Sequence, residues 1–459
     1  MNKLISKLFG IAQNPAWADL QPLKAVEPDV SGVIIGASDG KPLIDASMNP
    51  VAVLGPCRSG KGTAIVVPTL LTWRESAIVI DVHGELYGIT EHWRRTGAHN
   101  DVRRLAFGDL SSPDTFNFLD AIPRGTTSEL ADIQALAAAL LDDGRNGDAF
   151  WRHHARSLLT LFIIAKRHSL VASLHDVQKA VNDNVAFGDT IATWRDVIPD
   201  NELGNAAKAA ATAYGELADN SRAAVRVMVA KSLTVFASPD VVRNTMRSSF
   251  DLAELRDGGA AMTLYLSFAA HDLGRLQPLI RAFLAQVVRH GTRDRQQAER
   301  GRLLLVLDEF AALGRLPFLE SSLAYLPAQG IKPLLIIQSL TQIDRVYGEE
   351  NTLWAQCAIR TVLRLNEFET AAAVANDIAG IVARAYWAYQ QAGTEQRQQP
   401  ITPDELMRLG KREAIILGAA VKPIRATTLP YYEDARFKSR VQAGNTDPLL
   451  AAADVVAHS

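Results

Sequence analysis

Residues 51–63 read Val-Ala-Val-Leu-Gly-Pro-Cys-Arg-Ser-Gly-Lys-Gly-Thr, and this stretch decides the fold. The apolar run over 51–54 has the character of a short buried strand. It ends at Gly55, which opens a Gly-x-x-x-x-Gly-Lys spacing that closes on Lys61. The next residues, Thr63-Ala-Ile-Val-Val-Pro-Thr-Leu-Leu, predict the start of a helix. A glycine turn beside a solvated lysine would give the same letters. Strand, glycine-rich loop and helix in that order give them a mechanism. Backbone N–H groups around Gly60 and Gly62 converge on phosphate oxygens, and the helix N-terminus adds the positive end of its dipole. The expected nucleotide contacts are Gly55, Pro56, Cys57, Arg58, Ser59, Gly60, Lys61, Gly62 and Thr63, with Lys61 reaching the outer phosphates of ATP. Gly62 stands where this pattern usually has the hydroxyl residue that meets Mg2+. Thr63 follows it and is the substitute. Cys57 needs no catalytic role; a small side chain suffices there.

Composition bounds the rest. The chain has 459 residues, 48% of them hydrophobic, and a formal net charge of −2. That length buries a sizeable core and accommodates two or three domains. The near-neutral balance carries no global basic signature, so nucleic-acid binding has to rest on local patches. The cysteines Cys57 and Cys357 exclude a disulfide framework and show no zinc spacing, which points to a reducing cytoplasm. No run of about 18 uninterrupted apolar residues occurs, so no transmembrane helix is predicted. The first residues, Met-Asn-Lys-Leu-Ile-Ser-Lys-Leu-Phe-Gly, are too broken in their apolar pattern for a signal peptide.

Residues 1–30, with Pro15, Pro22 and Pro28, read as an irregular N-terminal segment. Residues 31–127 read as the first part of a nucleotide-binding domain. It contains a strand at 32–36, a turn at Ser38-Asp39-Gly40, a buried strand at 77–80 and a further strand at 102–107. Over 128–237 the apolar period becomes helical. Leu130, Ile133, Leu136, Ala137, Leu140 and Leu141 fit i, i+3, i+4 spacing, and Phe150, Trp151, Ala155, Leu158, Leu159, Phe162 and Ile163 repeat it. This segment is expected to be an all-α domain. Strand patterns return over 238–440, at 262–268, 303–307, 333–337, 359–365 and 413–417, with a long helix over 276–287. Residues 441–459 read as a tail. Apolar runs separated by helices predict an α/β fold with a mainly parallel central sheet buried on both faces.

Several strand ends carry candidate chemistry. Asp308-Glu309 follows the apolar run 303–307. In a P-loop enzyme an aspartate there holds Mg2+, and a neighbouring glutamate polarises the attacking water as a general base. Gln338 ends the next apolar run, where its amide can sense the γ-phosphate or position water. Asp81 and Glu85 end the strand at 77–80 and read either as Mg2+-shell or subunit contacts or as helix-capping acids. Arg152, His153, His154 and Arg156 beside Trp151 suit single-stranded nucleic acid. The plainer reading is a solvated helix face with Phe150 and Trp151 in the core. The arginine-rich run 289–302 reads as a solvated connection or as a pore-facing or subunit-facing loop.

These motifs together resemble the cytoplasmic ATPase body of type IV secretion coupling proteins. The resemblance rests on the loop at 55–62 with Pro68-Thr-Leu-Leu, on Ile80 to Glu85, on Phe150-Trp151 with Ala155 to Leu159, and on Leu307-Asp-Glu-Phe310. It rests further on Ile337-Gln-Ser-Leu340 with Tyr347-Gly348, on Thr402 to Leu406, and on Tyr431-Tyr432-Glu-Asp434 with Phe437. It spans about residues 32–438. It implies a RecA-like nucleotide-binding domain interrupted by an all-α domain that recruits relaxase–DNA complexes or effector proteins. It also implies a homo-hexameric ring with ATP at subunit interfaces, and single-stranded DNA in the central channel. The Lys-Gly ending of the loop is typical of one branch of this family. The implied activity is DNA-stimulated ATP hydrolysis that delivers substrates to type IV secretion channel components, with Lys61, Glu309 and Gln338 catalytic and Asp308 and Thr63 on Mg2+. Relatives usually begin with transmembrane helices. This chain is therefore expected to be cytoplasmic and peripheral to the inner membrane, either with a separate membrane-anchor protein or lacking a segment its relatives have. Relatives also often carry an arginine in the stretch that reads Ala328-Gln-Gly-Ile-Lys332-Pro here, so Arg315, Arg360 and Arg364 become the candidates for a trans-acting arginine. His83 replaces a lysine common in relatives. Two other readings are a non-motor platform that binds nucleotide and recruits protein effectors, and a cytoplasmic DNA translocase unconnected with secretion.

Overall fold

The computed structural model describes residues 31–82, 84–141, 149–169, 171–256, 259–293, 301–387, 400–418 and 421–442. The segment expected to be irregular at 1–30, His83, and the expected tail from residue 443 onward lie outside the described residues. Residues 441 and 442 belong to the helix Ala435–Gln442.

The strands are β1 Val33–Ser38, β2 Lys41–Asp45, β3 Val51–Leu54, β4 Ser76–Val82, β5 Asp101–Leu105, β6 Met262–Phe268, β7 Leu303–Leu307, β8 Ile331–Ile337, β9 Ile359–Val362, β10 Glu413–Gly418 and β11 Val421–Thr427. Among the described residues they form one 11-stranded sheet in the order β2-β1-β11-β10-β9-β3-β8-β7-β4-β6-β5. Every pairing from β9 through β3 to β5 is parallel. Every pairing from β9 out to β2 is antiparallel. The parallel part gathers its strand C-termini on one edge. There the loop after β3, the acids at the ends of β4 and β7, and Gln338 after β8 become neighbours.

The central strands read as unbroken apolar runs because neither face meets water. Along β7, Leu303, Leu305 and Leu307 join Leu54, Ile78 and Ile80 in one core, while Leu304 and Val306 join Val53, Ala77 and Val79 in the other. Helices Glu129–Leu141, Ala149–Arg167, Leu174–Asn182, Asn184–Asp196, Glu202–Glu216 and Asp219–Leu233 lie between β5 and β6. Helical character continues past residue 237 through helix Pro239–Thr245. Leu136, Leu158 and Phe162 share the first core with Ile80. Arg289 and Arg293 both ion-pair with Asp132, so this part of the arginine-rich run ties helix Glu129–Leu141 to helix Leu273–Gly291. Phe150 is exposed, contrary to its expected place in the core, while Trp151 packs against that core.

Strands β2 and β11 have no clear apolar run in the sequence. Pro42 has no N–H to donate and is tolerated in β2 because that strand lies at the edge of the sheet. Pro423 in β11 falls where the register with β10 shifts. Asp39 and Gly40, at φ 50° and 71°, form the tight turn that joins β1 to β2.

The helix after the loop opens with one π turn, Gly62–Val66, and continues as α over Val67–Leu70. Pro68 explains the widening. It has no N–H to donate, and its ring would collide with the carbonyl of residue 64 in a regular α turn. The far end of this helix is held by Arg94, which is fully buried. Its guanidinium donates to the carbonyls of Leu70, Trp73 and Glu75, to Asn100 Oδ1 and to Thr263 Oγ1. Burial pulls its pKa down to about 10. Arg94→Met would leave those buried acceptors unpaired and is expected to cost about 3 kcal/mol of stability or more. A urea midpoint within error of the parent's would contradict that role. Among the described residues, no helix is long and apolar enough to cross a membrane.

Candidate functional site

The sheet fixes the loop after β3. Gly55 N–H donates to Ile337 O at 3.0 Å, and Ser59 N–H donates to Pro56 O at 3.2 Å. Arg58 and Gly60 take left-handed backbone, at φ 61° and 96°. A Cβ on Gly55 would lie 2.6 Å from Ser59 Oγ and 3.1 Å from Leu363 Cβ, so a side chain there would have to displace the Ser59 hydroxyl and press on Leu363. Gly62 differs: an added Cβ would meet nothing within 4 Å. Thr63 Oγ1 donates to Gly60 O at 3.4 Å, a long bond that leaves the hydroxyl free to turn toward a ligand.

Lys61 is buried, and its Nζ donates to Gly55 O and, at 2.8 Å, to Pro56 O. Burial lowers the ammonium pKa, while Glu309, Cys57 and Asp308 pull it back up. Lys61 therefore sits in the field of the two acids at the end of β7. Glu309 N–H donates to Asp308 Oδ1 at 3.0 Å. Glu309 itself lies at φ 51°, a left-handed conformation that costs a non-glycine residue on the order of 1 kcal/mol. In this turn its carboxylate meets Gln338, whose Nε2 donates to Glu309 Oε2. The structure thus brings Lys61, Asp308, Glu309 and Gln338 to one edge across β3, β8 and β7.

Asp81 is buried and accepts the N–H groups of Leu86 at 3.0 Å and Tyr87 at 2.8 Å, in the first turn of helix Glu85–Thr96. Its oxygens are thus engaged in capping. Glu85 acts on both Asp81 and Asp308 through its charge. Burial raises Asp81 to about 6. Burial first, then the charge of Glu309, raises Asp308 to about 6. That crowding of carboxylates suits a bound cation. Among the described residues, no group of three or more acidic, histidine or cysteine side chains forms a metal cage. Mg2+ needs none where phosphates and water complete its shell. Asp308 supplies a carboxylate of the kind that mode uses.

The raised carboxyl pKa has a stability consequence. Between about pH 4 and about pH 6 the folded chain keeps a proton at Asp308 that the unfolded chain has lost, so stability falls as pH rises through this window. The penalty is complete above about pH 6. Ligand-free Asp308→Asn is expected to be more stable than the parent near neutral pH, with the difference shrinking as pH falls toward about 4. Urea midpoints across that range measure it; a difference independent of pH would contradict it.

The arginine candidates separate. Arg315 pairs with Glu320 at 3.2 Å. Arg360 is buried, pairs with Asp377 and lies 5.4 Å from the Trp354 ring centroid. Arg364 is exposed, one residue past Leu363, whose N–H donates to Leu54 O at 2.8 Å. Lys332, in the stretch where relatives often carry arginine, is fully buried against Asp45 and the carbonyls of Ser47 and Asn49. It anchors the segment leading into β3. Sequence reading also gave no sign that Tyr431 N–H donates to Thr63 O at 2.9 Å. Nothing local marks a contact across that separation.

Residues 20–448 match the family described as Type IV secretory system Conjugative DNA transfer. Conjugal transfer protein TraG of Escherichia coli is 32% identical over 370 residues, covering 75% of this chain and 58% of that protein. Protein VirD4 of Agrobacterium fabrum is 26% identical over 404 residues, covering 83% of this chain and 58% of its own. The chain thus spans somewhat over half the length of these relatives. The plasmid coupling protein TrwB, solved in complex with ADP and Mg2+, superposes with a TM-score of 0.67 at 17% identity, covering 90% of this chain and 92% of that one. At that identity the likeness shows the fold alone, an α/β fold of the RecA-like P-loop kind. With the loop after β3, the acids after β7 and a family match running almost from end to end, this chain belongs to the type IV secretory system conjugative DNA transfer family.

Proposed function

We propose that the chain is an ATP-hydrolysing coupling protein that recruits relaxase-bound DNA or effector proteins and delivers them to a type IV secretion channel. The observation that carries this reading is the Glu309 carboxylate, held by Gln338 beside Asp308 and within the electrostatic reach of Lys61. A site that only bound nucleotide would not need a carboxylate braced in left-handed backbone. In this reading Lys61 and the loop amides bind the phosphates of ATP. Asp308 and Thr63 would hold Mg2+, which would neutralise phosphate charge. Glu309 takes the proton of the attacking water, and Gln338 orients Glu309 and relays the state of the γ-phosphate to β8. Positioning and charge stabilisation carry most of the catalysis.

The larger assembly belongs to the same proposal. The chain forms a homo-hexamer around single-stranded DNA, with the helical segment 128–237 receiving cargo. It works at the cytoplasmic face of the inner membrane, with a membrane-anchoring partner. Arg364, exposed beside the loop, is the candidate to act on a neighbour's nucleotide. ATP turnover with single-stranded, double-stranded or no DNA, alongside a mass measurement with nucleotide, tests this. Turnover stimulated by single-stranded DNA, together with a hexamer, is expected; a monomer with turnover indifferent to DNA would overturn the assembly.

A further inference from the structure

We propose that Tyr432, backed by Tyr431, is the wall on which the nucleobase stacks; this rests on the nucleotide-binding reading above. The first argument is direction. In phosphoryl transfer the attacking water and the leaving diphosphate lie roughly in line on opposite sides of the γ-phosphorus. Glu309 and Gln338 mark the water side, at β7 and β8. The rest of the nucleotide therefore runs across the loop toward the other flank of β3, where β9, β10 and β11 follow.

The chain leaving β11 returns to that flank. Tyr431 N–H donates to Thr63 O at 2.9 Å, two residues beyond Lys61. The segment is braced on both sides of the tyrosines. Thr428 N–H donates to Arg412 O at 2.9 Å, Glu433 N–H donates to Pro430 O at 3.0 Å, and Glu433 ion-pairs with Arg412. Asp434 accepts Arg436 N–H at 2.8 Å and so caps helix Ala435–Gln442, whose Phe437 is buried in the core beneath. Arg440 donates to Leu71 O and lies 5.0 Å from the Trp93 ring centroid. The segment is thus fastened near both ends of the helix that follows the loop, at Thr63 and at Leu71.

On this frame Tyr432 is 39% exposed, with its ring edge-on to Tyr431 at 5.4 Å and 78°. The contacts that brace the segment also dock helix Ala435–Gln442, and they leave the Tyr432 phenol exposed. A flat aromatic face held in place takes a base with little ordering cost. Stacking reads no hydrogen-bond pattern, so the wall accepts adenine and guanine alike.

Equilibrium binding of ATP, GTP and inorganic tripolyphosphate to the full chain tests this, with Tyr432→Ala, Tyr432→Phe and Lys61→Ala alongside. Tyr432→Ala is expected to weaken both nucleotides about tenfold and by similar factors, while tripolyphosphate binding is unchanged and Tyr432→Phe restores the parent affinities. Tripolyphosphate weakened as much as ATP, or ATP unaffected, would overturn the wall. Failure of the nucleotide site itself looks different: the parent would then bind ATP and tripolyphosphate no better than Lys61→Ala does.

Discussion

Lys61→Ala is expected to remove the thermal stabilisation that ATP gives the parent chain. At a hundredfold excess over Kd a ligand stabilises the folded state by about 2.7 kcal/mol, which moves the melting temperature by several degrees. The ammonium of Lys61 is buried on the loop's own carbonyls, Gly55 O and Pro56 O. Those partners are weak compared with phosphate oxygens, and burial has already lowered the lysine pKa. A triphosphate would offer the ammonium charge-assisted bonds that neutral carbonyls cannot match. Without Lys61 the loop keeps its amides but loses this cation. A thermal shift as large in Lys61→Ala as in the parent would put the nucleotide elsewhere.

Glu309→Gln is expected to separate binding from turnover. Removing a positioned general base typically costs about 10²- to 10⁴-fold in rate. Gln at 309 keeps the size of the side chain and an oxygen to accept the Gln338 amide, and it leaves Asp308 and Lys61 in place. ATP affinity is therefore expected to stay within about threefold of the parent's while phosphate release collapses. Single-turnover phosphate release and equilibrium ATP binding on the same preparation check both halves. Loss of binding in step with turnover would make Glu309 a structural brace and not the base.

Much of the edge that carries these residues was legible in the sequence, because its signals are local. Gly55 to Lys61 declare a loop by spacing alone. Asp308 and Gln338 each follow an unbroken apolar run, and such runs mark strands covered on both faces. The helical period of 130–141 is equally local, and its buried positions follow that period. The features that stayed hidden depend on distant partners. β2 and β11 carry prolines and charges and become strands only where an edge or a register shift tolerates them. The burial of Lys332 follows from Asp45, far away in sequence, and its letters alone read as a solvated lysine. The same holds for Tyr431 on Thr63 and for the bond from Gln338 to Glu309. The Gly62 position was half legible. Its sequence showed that a hydroxyl is missing, and the structure adds that the space beside it is open and that the Thr63 hydroxyl is only loosely held.

The most direct measurement is phosphate release from ATP by the full chain at micromolar concentration with Mg2+ and single-stranded DNA, run beside Glu309→Gln. Release by the parent at least about a hundredfold above the variant is the expected result for hydrolysis at the β7–β8 edge. Release by the parent no faster than that by Glu309→Gln would contradict it.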